Sequence, residues 1–256
     1  MSRETSKTLR DVIMGLASRK IAATVYRAKG KPEGVENARD VFLAACAAIA
    51  KEFEVHGFRF AKSGPHFSHA DGDFTFRVSF QSSYHNISGQ HVRLWVHATV
   101  TSKRLKDFRK SHLPDNLVND YVAGGMIHLL LPGDVAMAEW DLADPEARSG
   151  VVADVVTLIQ GEVLPYFAQF SAPAQLVARL TRESLPAFDM RHSVEFALCF
   201  GDKESAQKIL SRFLGERPDL QSQIVKVQCE GFRHAHFGPS NYAEQVVYLQ
   251  REFGLL

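Results

Sequence analysis

The chain has 256 residues, 45% hydrophobic and 23% charged, with a net charge of +1. These are ordinary globular values, and the near-zero balance excludes an overall field that would draw the whole protein onto nucleic acid. No apolar run approaches the roughly 18 residues of a membrane span. The opening MSRETSKTLRDVIMGLASRK breaks its apolar positions with Arg10, Asp11, Arg19 and Lys20, so a cytoplasmic protein is expected.

Charge is spread unevenly. Residues 1–31 hold eight basic side chains against two acidic ones, Glu4 and Asp11, and TSKRLKDFRKSH (101–112) forms a second basic cluster. Such clusters suit phosphates or an acidic partner protein, or simply a solvated surface. Cys46, Cys199 and Cys229 form no CxxC pair, which argues against a disulfide framework or zinc ribbon and predicts plain buried or half-buried thiols.

In chain order, Leu9, Val12, Ile13, Leu16, Ile21 and Val25 predict an amphipathic helix within 7–27. GKPEG breaks it, and a stronger helix follows, with Val41, Phe42, Ala45, Ile49 and Phe53 on one face. Asn37 is its expected N-cap and Gly57 its terminator. The period then changes to two. Phe58 and Phe60 flank Arg59; Phe74, Phe76, Val78 and Phe80 share one face; Val92, Leu94, Val96, Ala98 and Val100 repeat the device. This predicts an antiparallel sheet with one face buried. GGMIHLLLP (124–132) is a further expected strand, and the 101–123 connection is expected to carry a short helix.

From residue 150 onward the chain reads as helices. A long one spans 150–170 with Pro165 disturbing its end. The next has Ser171 as cap and Pro173 in its first turn. MRHSVEFALCF and DKESAQKILSRFL meet at Gly201–Asp202, with Asp202 as N-cap, and two more helices close the chain.

PHFSHADGDF places His66, His69, Asp71 and Asp73 close together. On a strand, residues three apart face opposite ways, so a hairpin turning at Asp71–Gly72 is expected instead of a metal site. His234 and His236 precede Gly238–Pro239 and are assigned to a loop. Asp134, Glu139 and Asp141 around Trp140 read as an acidic loop, with acid–base chemistry as the alternative. No catalytic motif occurs, no catalytic residue is assigned, and no cofactor or metal is expected.

The reverse face of the sheet collects Arg59, Arg77, Gln81, Arg93, Trp95 and His97, with Tyr84 and His85 in the following turn. Arginine, tryptophan and tyrosine together are what binding hot spots favour. The candidate binding residues are Arg77, Gln81, Tyr84, Arg93, Trp95 and His97, together with Lys103, Arg104 and Arg109 of the second basic cluster.

A helix ending in Gly-Phe-Arg-Phe-x-Lys (57–62), the strand Asp-x-x-x-x-Val-x-Phe-Gln-x-Ser (73–83) and the strand His-Val-Arg-Leu-Trp-Val (91–96) carry a family likeness. Over 38–100 the chain resembles an uncharacterised bacterial domain-of-unknown-function family with a Gly-Phe-Lys-Lys / Phe-Gln-Lys-Ser type motif. Here Gln81-Ser82-Ser83 replaces the usual Gln-Lys-Ser. Some members resemble toxin-immunity proteins, so the resemblance implies a binding module whose partner is another protein, and it supplies no catalytic residues.

The fold expected is α+β: a basic helical extension at 1–34, a domain at 35–170 with an antiparallel sheet of four to five strands, and a helical region at 171–256 packed on it. The function expected is a cytoplasmic protein-binding module, in the manner of an immunity protein that occludes a toxin or a secretion-linked adaptor. The alternatives are nucleic-acid binding through the basic N-terminus and the Arg/Trp face, and an uncharacterised hydrolase.

Overall fold

The computed structural model describes residues 35–113, 115, 118–131, 136–230 and 241–255. The expected 7–27 helix, the basic 1–31 stretch, Asp134 and the His234/His236 pair lie outside the described residues. In chain order come α1 (Ala38–Lys51), β1 (Arg59–Ala61), β2 (His66–Asp71), β3 (Phe74–Ser82), β4 (Arg93–Ser102), α2 (Lys103–Lys110), β5 (Tyr121–Met126) and β6 (Trp140–Asp141). The helices α3 (Arg148–Leu158), α4 (Leu164–Ala168), α5 (Pro173–Leu180), α6 (Met190–Phe200), α7 (Lys203–Glu216), α8 (Gln221–Glu230) and α9 (Tyr242–Phe253) follow. The class is α+β.

The antiparallel sheet has the order β1-β2-β3-β4-β5, and the two-residue β6 also pairs with β4. Alternation decides its faces: Phe74, Phe76, Val78 and Phe80 of β3 are buried, as are Leu94, Val96, Ala98 and Val100 of β4. The hairpin between β2 and β3 forms one residue later than expected, with Gly72 (φ 55°) and Asp73 as its two turn residues. The last expected strand also moves. β5 begins at Tyr121, and Ile127–Leu130 is a 3-10 turn.

The chain forms two compact units, each assembled from separated stretches of sequence. The first comprises the described part of Met1–His69 with Arg77–Ala98 and Met126–Leu164. In it α1 is capped as expected, the Asn37 side chain accepting the Arg39 N–H at 2.9 Å. Phe53 at its end stacks on Phe67 of β2 at 4.8 Å, and Phe67 meets Phe58 edge-on at 5.3 Å. Gly57 (φ 79°) closes the 3-10 turn Glu54–His56. The positive φ favours glycine there, and a Cβ would crowd His69 Nδ1 at 3.1 Å.

The second unit comprises Ala70–Phe76, Thr99–Gly125 and Pro165–Leu256. Phe76 stacks on Phe167 at 5.1 Å, Phe74 on Phe200 at 5.2 Å, and Phe196 lies 4.6 Å from Phe200. At its centre α6 is buried over its whole first two turns, Arg191, His192, Ser193 and Glu195 included. From the sequence α6 reads as an ordinary short helix, because four polar residues in eight conceal such burial.

Asp189 caps α6 by accepting the His192 N–H at 2.9 Å, and its other oxygen lies 2.6 Å from His192 Nδ1. Arg191 Nη2 donates to His192 Nε2 at 2.9 Å, which requires a neutral imidazole with its proton on Nδ1. Burial holds the His192 pKa below 6.5, outweighing the pull of Asp189. For Asp189, burial pushes upward, but the hydrogen bonds and charge of His192, with Arg191, bring it below 3.8. Both folded-state values are depressed, so the unfolded chain binds more protons on acidification. The His192 contribution is complete above 6.5 and is lost as pH falls below it; the Asp189 contribution is lost below 3.8. Denaturant melts across pH 4–8 are expected to show stability declining from about pH 6.5 downward. His192→Gln is expected to flatten the upper part of that profile.

Two helical details differ from expectation. α5 starts after Ala172, which makes no side-chain cap; Ser171 instead hydrogen-bonds back to the Ala168 carbonyl, and Pro173 takes the first helical position. The helical run Arg148–Ser171 is continuous for 24 residues, interrupted by a π-turn at Ile159–Val163. Pro165 has no N–H to offer the Gly161 carbonyl four residues back, and the wider turn absorbs that loss. By length and composition this run could cross a membrane, with mean hydropathy 1.4 in its most apolar window, 33% of which is buried. Asp202 caps α7 as expected, at 2.7 Å from Ser205 N. Cys46 is buried, which raises its thiol pKa, and Cys199 is half-buried. Cys229 is exposed, contrary to expectation.

Candidate functional site

The reverse face in the first unit is built by the odd residues of β3 and β4. Arg77 and Gln81 are exposed on β3, and Arg93, Trp95 and His97 are half-buried on β4. β6 lies against the start of β4. The pairings Arg93↔Asp141 and Leu94↔Trp140 bring Glu139 alongside Trp95. Its Oε2 accepts from Trp95 Nε1 at 3.0 Å, and Arg93 Nη1 lies 3.3 Å from its Oε1. One carboxylate thus fixes the rotamers of both large side chains.

His97 Nε2 lies 2.9 Å from Gln81 Oε1, an acceptor, so the ring carries its proton on Nε2. Burial, and then the nearby His128, hold the His97 pKa below 6.5. At neutral pH the ring is uncharged, and the positive charge of the face comes from Arg59, Arg77 and Arg93. Arg59 and Arg77 are exposed and make no ion pair among the described residues. Tyr84, beyond the end of β3, is 96% exposed.

The other expected binding residues belong to the second unit and are engaged there. Lys103 is exposed. Arg104 lies over the Phe200 ring at 4.7 Å, donates to the Cys199 carbonyl at 2.9 Å and faces Asp73 at 3.7 Å. Arg109 is a correction: it is fully buried, donates to Glu195 Oε2 at 2.7 Å and reaches the Asn119 and Tyr121 carbonyls. A partner cannot touch it. Its sequence signal was its position four residues after Leu105, on the buried side of α2.

The other candidates resolve into local structure. His66 Nδ1 bonds the Gly64 carbonyl at 2.7 Å and His69 Nδ1 the Gly57 carbonyl at 3.2 Å, so the two rings serve separate turns. Asp141 accepts the Val92 and Ala143 N–H groups, both at 2.9 Å, while Glu139 is held by Arg93 and Trp95. Among the described residues, no three or more His, Cys, Asp or Glu side chains are grouped to hold a metal ion.

Residues 49–169 match the family described as Domain of unknown function (DUF4304). That span runs from the end of α1 through the sheet to the end of the long helical run. No curated protein and no solved structure matches the chain.

Proposed function

We propose that the protein is a protein-binding module whose contact surface is the reverse face of the sheet in the first unit. The observation that carries this reading is the clamp of Glu139 on Arg93 and Trp95, on the same sheet face as the open Arg59 and Arg77. An aromatic ring and arginines held in fixed rotamers lose little freedom on binding, the quality that turns a surface into a hot spot. The excess of guanidinium groups fits an acidic partner surface. Within this reading the partner is a toxin or effector, occluded sterically in the manner of an immunity protein or carried by a secretion-linked adaptor. The setting is a bacterial cytoplasm.

Co-expression with the product of the adjacent reading frame tests it. A complex surviving size-exclusion chromatography is expected, with affinity falling at least tenfold for Arg77→Glu and for Trp95→Ala. Full binding by both variants would remove this surface from the account. Nucleic acid is the weaker reading, because Arg104 and Arg109 of the second basic cluster are committed to Asp73, Phe200 and Glu195. It would show as oligonucleotide binding that falls steeply with salt.

A further inference from the structure

We propose that the first unit carries a second docking site, a groove at the N-terminal end of α1 that receives one apolar side chain of an acidic peptide segment. This rests on the partner being a protein, but not on the sheet face as its contact surface. The groove encloses about 300 Å³. Phe42, Leu43, Pro65 and Phe80 form its apolar floor, and Arg39 and Gln81 stand at its rim. That volume is at the bottom of the range for ligand pockets. It fits one leucine, methionine or phenylalanine side chain of an extended segment.

Charge selects the flanking residues. No carboxylate lines the groove, and the exposed Arg39 side chain makes no ion pair among the described residues. An aspartate or glutamate beside the inserted side chain meets that guanidinium, whereas a lysine is repelled.

The border of the groove is pre-formed. Ser82, which lines it, is followed directly by the loop 83–92 that displays Tyr84. In that loop Ser83 Oγ accepts the His85 N–H at 3.1 Å, Asn86 Oδ1 accepts the Arg93 N–H at 2.9 Å, and Ile87 bridges to His91. Ser88 Oγ accepts the Ala38 N–H at 3.0 Å, tying the loop to α1 one residue from Arg39. Gly89 (φ 72°) lies so close to Val35 that a Cβ would stand 2.9 Å from its Cγ1. The loop that follows Ser82 is therefore a braced border that loses little freedom on binding.

The test is an amide NMR titration of the full chain with the probe acetyl-Glu-Asp-Phe-Asp-Glu-amide. Saturable shifts are expected at Arg39, Leu43 and Ser82. Arg39→Glu, or alanine in place of the peptide's phenylalanine, is expected to weaken binding at least tenfold. Arg39 is exposed, and the same spectra report whether the variant folds. Three results would overturn the proposal: no shifts at millimolar peptide, equal shifts with a lysine-for-acid peptide, or benzoate binding as tightly as the peptide. Shifts confined to Arg77 and Trp95 would overturn the groove while leaving the sheet face standing. Groove shifts that persist in Trp95→Ala are expected, because Trp95 does not line the groove.

Discussion

Replacing Glu195 with alanine is expected to destabilise the second unit by about 3–5 kcal/mol, the range for removing one member of a buried ion pair. Both partners are fully buried; Glu195 Oε2 accepts from Arg109 Nε at 2.7 Å, and Arg109 Nη2 stands in ion-pair contact with the same oxygen at 2.7 Å. The other oxygen faces Arg191 Nη1 at 3.8 Å. Alanine would leave the Arg109 guanidinium without its carboxylate in a site that water does not reach, and the loss follows from that unpaired charge more than from the missing contact. The double variant Arg109→Met with Glu195→Leu removes donor and acceptor together and is expected to recover much of the stability. Equilibrium urea unfolding of the three proteins measures both effects. A Glu195→Ala loss under about 1 kcal/mol would contradict so dry a pair.

Phe67→Ala is expected to cost about 3–5 kcal/mol in the first unit, the usual range for emptying a buried phenylalanine site. Phe67 is fully buried among Phe53, Phe58 and Phe80, with ring centroids 4.8, 5.3 and 5.9 Å away. Three rings from three segments cannot all close on the space, so most of the cavity persists. Phe67→Leu keeps much of the volume and is expected to cost about half as much. Denaturant melts followed by the near-ultraviolet signal of Trp95 and Trp140, both in this unit, check the difference.

The strands were legible because nothing but a half-buried sheet makes large side chains recur at every second position, as at Phe74–Phe80 and Leu94–Val100. The caps Asn37 and Asp202 were legible because a short polar side chain before an apolar period has few other uses. β5 was misplaced because GGMIHLLLP is apolar without a period, so neither strand register nor helical face can be read from it. The alternation that turns Arg93 and Trp95 away from the core was legible, but the carboxylate that fixes them was not. Glu139 stands 44 residues beyond Trp95 in an acidic stretch that looks solvated. Arg109 failed for a related reason. In KRLKDFRK it resembles its neighbours, and the glutamate that draws it inside lies 86 residues away.

The second unit is stitched from three separated stretches of chain, and its buried charge pair joins two of them. During synthesis Arg109, Phe74 and Phe76 leave the ribosome well before Glu195 and the phenylalanines that shield them. Until α6 emerges, that stretch has neither a counter-charge nor an apolar cover, and it must be kept from aggregating. By the same token, a fragment begun at residue 171 would carry Glu195 without Arg109. The helical tail is therefore expected to be a poor candidate for expression by itself.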